Sequence, residues 1–253
     1  MEIKVGKRGG VTGFLSERML RTAAMVSPGN CTADVGCDHA YTSIYLVERG
    51  IAPTVIAMDV KKGPLKRAEE NVKKFGMEKQ ISIRLSDGLA ALVPGEVDTV
   101  LIAGMGGPLM ERILSAFPET LSSVKELVLQ PQSEVARFRR FLHENGFRIT
   151  KEDMLKEDGK YYVILRAEPG TEEVWTGEEY VYGKYLSEEA YPVLREFLSA
   201  EEKKAKEVLA GVVTAGTEKA EQRKEELLEV LRQIDGMKIR LANMDDTKKQ
   251  DRA

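Results

Sequence analysis

The chain has 253 residues, 42% of them hydrophobic and 31% charged, with a formal net charge of −3. No apolar run approaches the roughly 20 residues that a membrane span requires, and the charge balance lacks the chain-wide basic excess that marks many nucleic-acid binders. Two cysteines, Cys31 and Cys37, are too few for a disulfide framework or a four-ligand zinc site, and the N-terminus has no apolar signal segment, so a cytoplasmic protein with reduced thiols is expected. Charge is spread unevenly: residues 1–169 carry 24 Lys and Arg against 22 Asp and Glu, and residues 170–253 carry 14 against 19, or +2 and −5. Any phosphate-binding surface must therefore be a local patch. Lys4, Lys7, Arg8, Arg18 and Arg21 form one candidate group and Arg137, Arg139 and Arg140 another, the alternative being a solvated charged face.

In chain order, apolar residues from Leu15 to Val26 recur at helical spacing behind Ser16, a suitable N-cap, and before Pro28-Gly29. Short apolar runs then alternate with amphipathic segments: CTADVG then Tyr41 to Arg49, TVIAMD then Pro64 to Phe75, ISIRL, DTVLIA then Pro108 to Phe117, and ELVLQ then Ser133 to Asn145. Such alternation predicts βαβ units and an α/β, doubly wound parallel sheet of the Rossmann-like kind. Two further strands joined at Asp158-Gly159 read as a closing hairpin. Beyond Pro169-Gly170 the strands stop, and a connecting stretch leads to two long helices with a break near Gly211 to Gly216. Val193, Phe197, Val208 and Val212 make one stripe; Leu227, Leu231, Ile234 and Leu241 make the other, with Lys238 at the seam. An antiparallel coiled-coil hairpin is expected, frayed from Asp245 onward, giving two domains, 1–169 and 170–253. Trp175 reads as a packing residue and His143 as a surface one.

The segment Asp34-Val35-Gly36-Cys37-Asp38-His39-Ala40-Tyr41 falls where the first strand turns into a helix, the usual ligand cradle of a doubly wound sheet. It lacks the G-x-G-x-x-G spacing that seats a pyrophosphate, which weakens a nicotinamide-dehydrogenase reading. Its acids suit a ligand with a cationic amino group and sulfonium, S-adenosylmethionine. Asp59 ends the second strand, where a carboxylate accepts from ribose hydroxyls, and Ser86-Asp87-Gly88 ends the third, where an acid can accept from an adenine amino group. Each alone could be a turn residue; three at successive strand ends describe a pocket. Ala103-Gly104-Met105-Gly106-Gly107-Pro108 follows the fourth strand and Gln130-Pro131-Gln132-Ser133 the fifth. No Asn/Asp-Pro-Pro-aromatic segment of the amino methyltransferases is present, which disfavours chemistry on an exocyclic amine.

DVGCDHAY, AMD, SDGL, IAGMGG and QPQS, in that order and followed by a helical hairpin, resemble the bacterial TrmK family of tRNA (adenine-22, N1) methyltransferases. The resemblance implies a class I methyltransferase sheet and methyl transfer from S-adenosylmethionine to N1 of a tRNA adenosine. It also implies a cofactor pocket lined by Asp34, Gly36, Asp38, His39, Asp59, Asp87, Gly88, Ala103 and Gly104. A base methylated on its Watson–Crick edge must be unpaired and held; the expected grip is Tyr41 by stacking and His39 and Gln132 by hydrogen bonds, against the plainer role of packing the first helix on the sheet. No metal and no membrane are expected, and the chain is expected to be a monomer unless the coiled coil self-associates. A small-molecule or protein methyltransferase, and a binding protein that has kept the fold without turnover, remain the other readings.

Overall fold

The computed structural model describes residues 10–186, 190–212 and 218–251, with side chains described as far as residue 244. Lys4, Lys7 and Arg8 lie outside the described residues. The chain separates into two compact units, 1–151 with 162–172, and 152–161 with 173–253.

In the first unit a 3-10 turn, Val11–Phe14, precedes α1, Glu17–Ala23. Ser16 caps α1 as its sequence position predicts, its Oγ accepting from the Met19 N–H at 3.4 Å. Strand β1 (Thr32–Val35) is followed by α2 (Tyr41–Glu48), β2 (Val55–Asp59) by α3 (Lys62–Phe75), β3 (Ile81–Leu85) directly by β4 (Thr99–Met105), β4 by α4 (Gly107–Ser115) and a short α5 (Pro118–Ser122), and β5 (Glu126–Pro131) by α6 (Val135–Glu144). The hairpin strands β6 (Phe147–Glu157) and β7 (Lys160–Pro169) complete a seven-stranded sheet of order β3-β2-β1-β4-β5-β7-β6. β1 pairs in parallel with both β2 and β4, so the strand order reverses around β1, and β7 joins β5 antiparallel. The β6–β7 turn places Asp158 at φ 48° and Gly159 at φ 75°, the left-handed pair that a two-residue hairpin requires.

β1, β4 and β5 are buried nearly throughout: Ala33, Val100, Leu101, Ile102, Leu127, Val128 and Leu129 are inaccessible or nearly so. Helices on both faces leave such strands no polar side, which is why they read as continuous apolar runs rather than alternating ones. Several charged positions differ from expectation. Arg139 is completely buried, and Arg137 binds Glu111 and Glu134 at 2.8 and 2.9 Å, so two of the three arginines of this group are packing and ion-pair features, and Arg140 is the exposed one. His143 is not a surface residue either: its Nε2 lies 2.8 Å from Glu172 with both side chains largely covered. Both cysteines are free thiols, Cys37 buried and Cys31 half-buried.

In the second unit α7 (Gly177–Tyr182) opens on a capping box between Thr176 and Glu179. Trp175 is buried and meets the rings of Tyr180 and Tyr185 at 5.7 and 5.6 Å. Helices α8 (Tyr191–Val212) and α9 (Glu218–Asp251) pack together. Tyr191 meets Met244 and Glu202 meets Lys238; contact numbers that fall on one helix as they rise on the other make the pair antiparallel. Leu227, Ile234 and Leu241 are buried at heptad spacing as the pattern predicts. The α8 stripe is shifted: Leu194, Leu198 and Ala205 are buried, whereas Val208 is exposed and Val193, Phe197 and Val212 are half-buried. Phe197 is held off the seam by the rings of Tyr161 and Tyr182. Lys238 is tolerated at the seam because Glu202 takes its ammonium. The expected break falls largely on residues 213–217, outside the described residues, and α9 continues to Asp251, past the predicted fraying point.

Candidate active site

All the chemistry-bearing segments lie in the first unit, at the carboxyl ends of β1, β2, β3 and β4, where the reversal of strand order opens a crevice. The loop after β1 is unusual. Gly36, Asp38 and Ala40 all take left-handed backbone, with φ of 78°, 47° and 58°; a non-glycine residue there costs of order 1 kcal/mol and persists where the surroundings impose it. Those surroundings are visible: Gly36 and Cys37 N–H groups both donate to the Met58 carbonyl, at 2.8 and 2.9 Å, and Asn71 of α3 donates to the His39 carbonyl at 3.0 Å.

Two adjoining clefts result. One, of about 380 Å³, is lined by Phe14, Arg18, Asp34, Gly36, Asp38, His39, Tyr41, Ala103 and Gly104 among others. The second, of about 260 Å³, holds Gly36, Asp59, Asp87 and Gly88 with an apolar wall of Met105, Leu109 and Ile113. Gly36 borders both, and a Cβ there would run into Met105 Cε. One elongated ligand can thus lie across Gly36, with its polar head in the first cleft and a ring against the apolar wall of the second.

The electrostatics suit a ligand with separated charges. Asp34 is 3% exposed and accepts from Ser43 Oγ at 2.6 Å; burial, opposed by that hydrogen bond and reinforced by Asp59, raises its carboxyl to about 6. Asp38 Oδ2 stands 3.6 Å from His39 Nε2, and the His39 and Tyr41 rings stack at 5.7 Å. Burial and the neighbouring carboxylates push the Cys37 thiol far up, so it does not serve as a nucleophile. Among the described residues no cluster of three His, Cys, Asp or Glu side chains is arranged to hold a metal ion.

Of the positions expected from sequence, Asp34, Gly36, Asp38, His39, Tyr41, Ala103 and Gly104 border the first cleft and Asp59, Asp87 and Gly88 the second. Gln132 is exposed beside Gly104 rather than lining either cleft. Three contributors escape sequence reasoning. Gln130, completely buried, has an Oε1 that accepts from both Arg18 Nη1 at 2.6 Å and Gly104 N–H at 3.1 Å. Arg18 thereby belongs to the cleft, its guanidinium also 5.1 Å from the Tyr162 ring centre, and not to a surface patch. Phe14 stacks on Tyr41 at 4.8 Å yet is 52% exposed at the lip. The signals were faint: a lone amide ending the apolar ELVLQ run, and an aromatic just ahead of an N-cap.

The family model described as "TrmK: tRNA (adenine(22)-N(1))-methyltransferase" matches residues 32–236. A Bacillus subtilis tRNA (adenine(22)-N(1))-methyltransferase is 38% identical over 156 residues, 62% of this chain and 66% of that protein, just under two thirds of its length. The solved structure of the B. subtilis m1A22 tRNA methyltransferase TrmK superposes with a TM-score of 0.79 at 31% identity, over 88% of this chain and 97% of that one. A Streptococcus pneumoniae protein solved in complex with S-adenosyl-L-methionine superposes with a TM-score of 0.78 at 35% identity, over 88% and 98%. With the family model matching residues 32–236 of 253, the chain belongs to the TrmK family of tRNA (adenine(22)-N(1))-methyltransferases.

Proposed function

We propose that this protein transfers a methyl group from S-adenosylmethionine to N1 of adenosine 22 in tRNA. The observation that carries the reading is the pair of clefts joined over Gly36, acidic on both sides and apolar where a purine would rest. The residues fit the methyl donor. Asp59 and Asp87 face the second cleft, where ribose hydroxyls and an adenine amino group would donate to them, with Met105, Leu109 and Ile113 against the ring. Asp34 and Asp38 supply negative charge for an amino group and a sulfonium, and Arg18, fixed by Gln130, supplies the cation for an α-carboxylate. When bound, the donor supplies an electrophilic methyl carbon whose bond to sulfur breaks as the adenine N1 lone pair attacks, leaving a neutral thioether and a cationic base.

Neutral adenine needs no deprotonation at N1, so the protein's work is alignment and electrostatics. In this reading His39 and Tyr41 hold the base edge and face, which their lining the same cleft as Asp34 supports, while Asp38 beside His39 provides negative potential for the charge that develops on the ring. Gln132, beside Gly104, stands where a base entering from the β5 side would meet an amide. The chain acts in the cytoplasm and as a monomer, in this reading, with residues 1–169 catalytic and 170–253 an appended helical domain.

The test is methyl transfer from labelled S-adenosylmethionine to unmodified tRNA by wild type and Asp59→Ala, with the nucleoside identified by mass spectrometry. Wild type should yield 1-methyladenosine and the variant should lose it. Cofactor binding without tRNA methylation would remove the substrate half of the reading.

A further inference from the structure

The arginines near the helix α6 start and the α1 pair do not form the basic surface that an RNA substrate needs: Arg137 and Arg139 are paired or buried, Arg21 meets Glu17, and Arg18 is committed to the cleft. A different element does. Over Lys61 to Phe75, α3 and its cap carry Lys61, Lys62, Lys66, Arg67, Lys73 and Lys74 against Glu69 and Glu70, and all six cations are exposed. None makes an ion pair with a carboxylate among the described residues; the helix turns only Leu65, Ala68 and Val72 into the core. Exposed cations without carboxylate partners, along a helix about 21 Å long, are free to replace the counterions of a polyanion.

The same helix is fastened to the mouth of the cleft. Asn71 donates to the His39 carbonyl, Phe75 meets Phe14 edge-on at 6.3 Å, and Lys74 Nζ lies 5.9 Å over the Phe14 ring. Phe14 in turn stacks on Tyr41. A half-exposed aromatic at the lip beside a row of lysines is the combination that single-stranded and loop RNA meets: rings take unstacked bases and cations take phosphates. We infer that the outer face of α3, with Phe14 at its end, is the surface along which the tRNA backbone lies while the target base enters the cleft. The inference rests on the proposed tRNA substrate and adds where that substrate is gripped.

The test is equilibrium binding of an unmodified tRNA transcript, followed by fluorescence anisotropy between 50 and 200 mM salt. It uses wild type, the triple variant Lys66→Glu/Arg67→Glu/Lys73→Glu, its milder counterpart Lys66→Gln/Arg67→Gln/Lys73→Gln, and Phe14→Ala. Binding of S-adenosylhomocysteine by calorimetry reports whether each α3 variant keeps its fold and cofactor site. Both α3 variants should bind S-adenosylhomocysteine as wild type does, bind tRNA at least about tenfold more weakly, and lose about 0.7–0.9 in the slope of log K against log salt for each phosphate contact removed. Phe14→Ala should weaken tRNA binding about tenfold with the slope unchanged, because stacking releases no counterions. Wild-type tRNA affinity and slope in an α3 variant that still binds S-adenosylhomocysteine would overturn the inference alone. A wild-type protein that binds S-adenosylhomocysteine but no tRNA would overturn the substrate reading along with it.

Discussion

Replacing Asp34 by Asn should make the protein more stable at neutral pH and worse at binding its methyl donor. The carboxyl is buried and sits at about 6 rather than its ordinary 3.8, chiefly because burial penalises its charge. A group whose folded-state value is raised contributes stability below its unfolded value and loses it as pH rises through the folded value. Here that window runs from about 4 to about 6, and above it the ionised Asp34 costs the folded state up to about 3 kcal/mol. Asn is isosteric, carries no charge, and can still accept from Ser43 Oγ, the one hydrogen bond that favours the carboxylate through a side chain. Its own amide donors need partners in a buried site, so the net gain should be nearer 1–2 kcal/mol, about 3–6 °C in Tm for a unit of this size. Thermal unfolding of wild type and Asp34→Asn without ligand, at pH 4 and at pH 7.5, measures it. The Asn advantage should be present at pH 7.5 and absent at pH 4, while S-adenosylhomocysteine binding at pH 7.5 falls by tenfold or more. An advantage of equal size at both pH values, or a less stable variant at pH 7.5 alone, would refute the electrostatic argument.

Gly36→Ala should destabilise the protein by about 1–2 kcal/mol, from its φ of 78°, and should weaken S-adenosylhomocysteine binding because the added methyl displaces Met105 Cε, which lines the second cleft; calorimetry on the folded variant checks the second effect. Gln130→Leu leaves the Gly104 N–H and Arg18 without their shared acceptor, so a loss of about 1–3 kcal/mol in stability should accompany a raised KM for S-adenosylmethionine; an unchanged KM would remove Arg18 and Gln130 from the cofactor site. Cys37, buried and with its thiol pushed far up, should resist iodoacetamide at pH 8 in the native protein and react on unfolding, as peptide mass mapping would show.

The doubly wound sheet was legible because local and global signals agree in it. Strand runs such as DTVLIA and ELVLQ are continuously apolar between their polar ends, as the middles of strands covered on both faces must be, and each is followed by or ends on the polar or glycine residues that build the crevice. The pocket acids were legible for the same reason: topology places strand ends together, so Asp34, Asp59 and Asp87 need no tertiary knowledge to be grouped. Phe14, Arg18 and Gln130 were not, because what brings them to the cleft is the docking of the leading turn and α1 against the sheet, a contact between residues 112 apart in the case of Arg18 and Gln130. The α8 stripe went out of phase for a related reason. Two apolar faces compete on that helix, and the rings of Tyr161 and Tyr182, not the α9 seam, take Phe197.

Several uncomfortable residues among those described converge on the loop after β1. Asp34 is an acid held where its charge is costly, Asp38 and Ala40 are side-chain-bearing residues in left-handed backbone, and Gly36 has φ 78° with Met105 Cε where a Cβ would go. None of these choices helps the sheet to fold; a neutral residue at 34 and an ordinary turn after β1 would serve it better. Their compensation comes from elsewhere, in the continuous apolar packing of β1, β4 and β5 and in the Met58 and Asn71 hydrogen bonds that force the loop's shape. A loop shaped at such cost, with an ionisable acid at its base, is what a cationic ligand would repay on binding by stabilising the Asp34 charge. Stabilisation by the cationic S-adenosylmethionine should therefore grow as pH rises through about 6, more steeply than that by the uncharged thioether product, and equal pH dependence for the two ligands would place the sulfonium beyond the reach of Asp34.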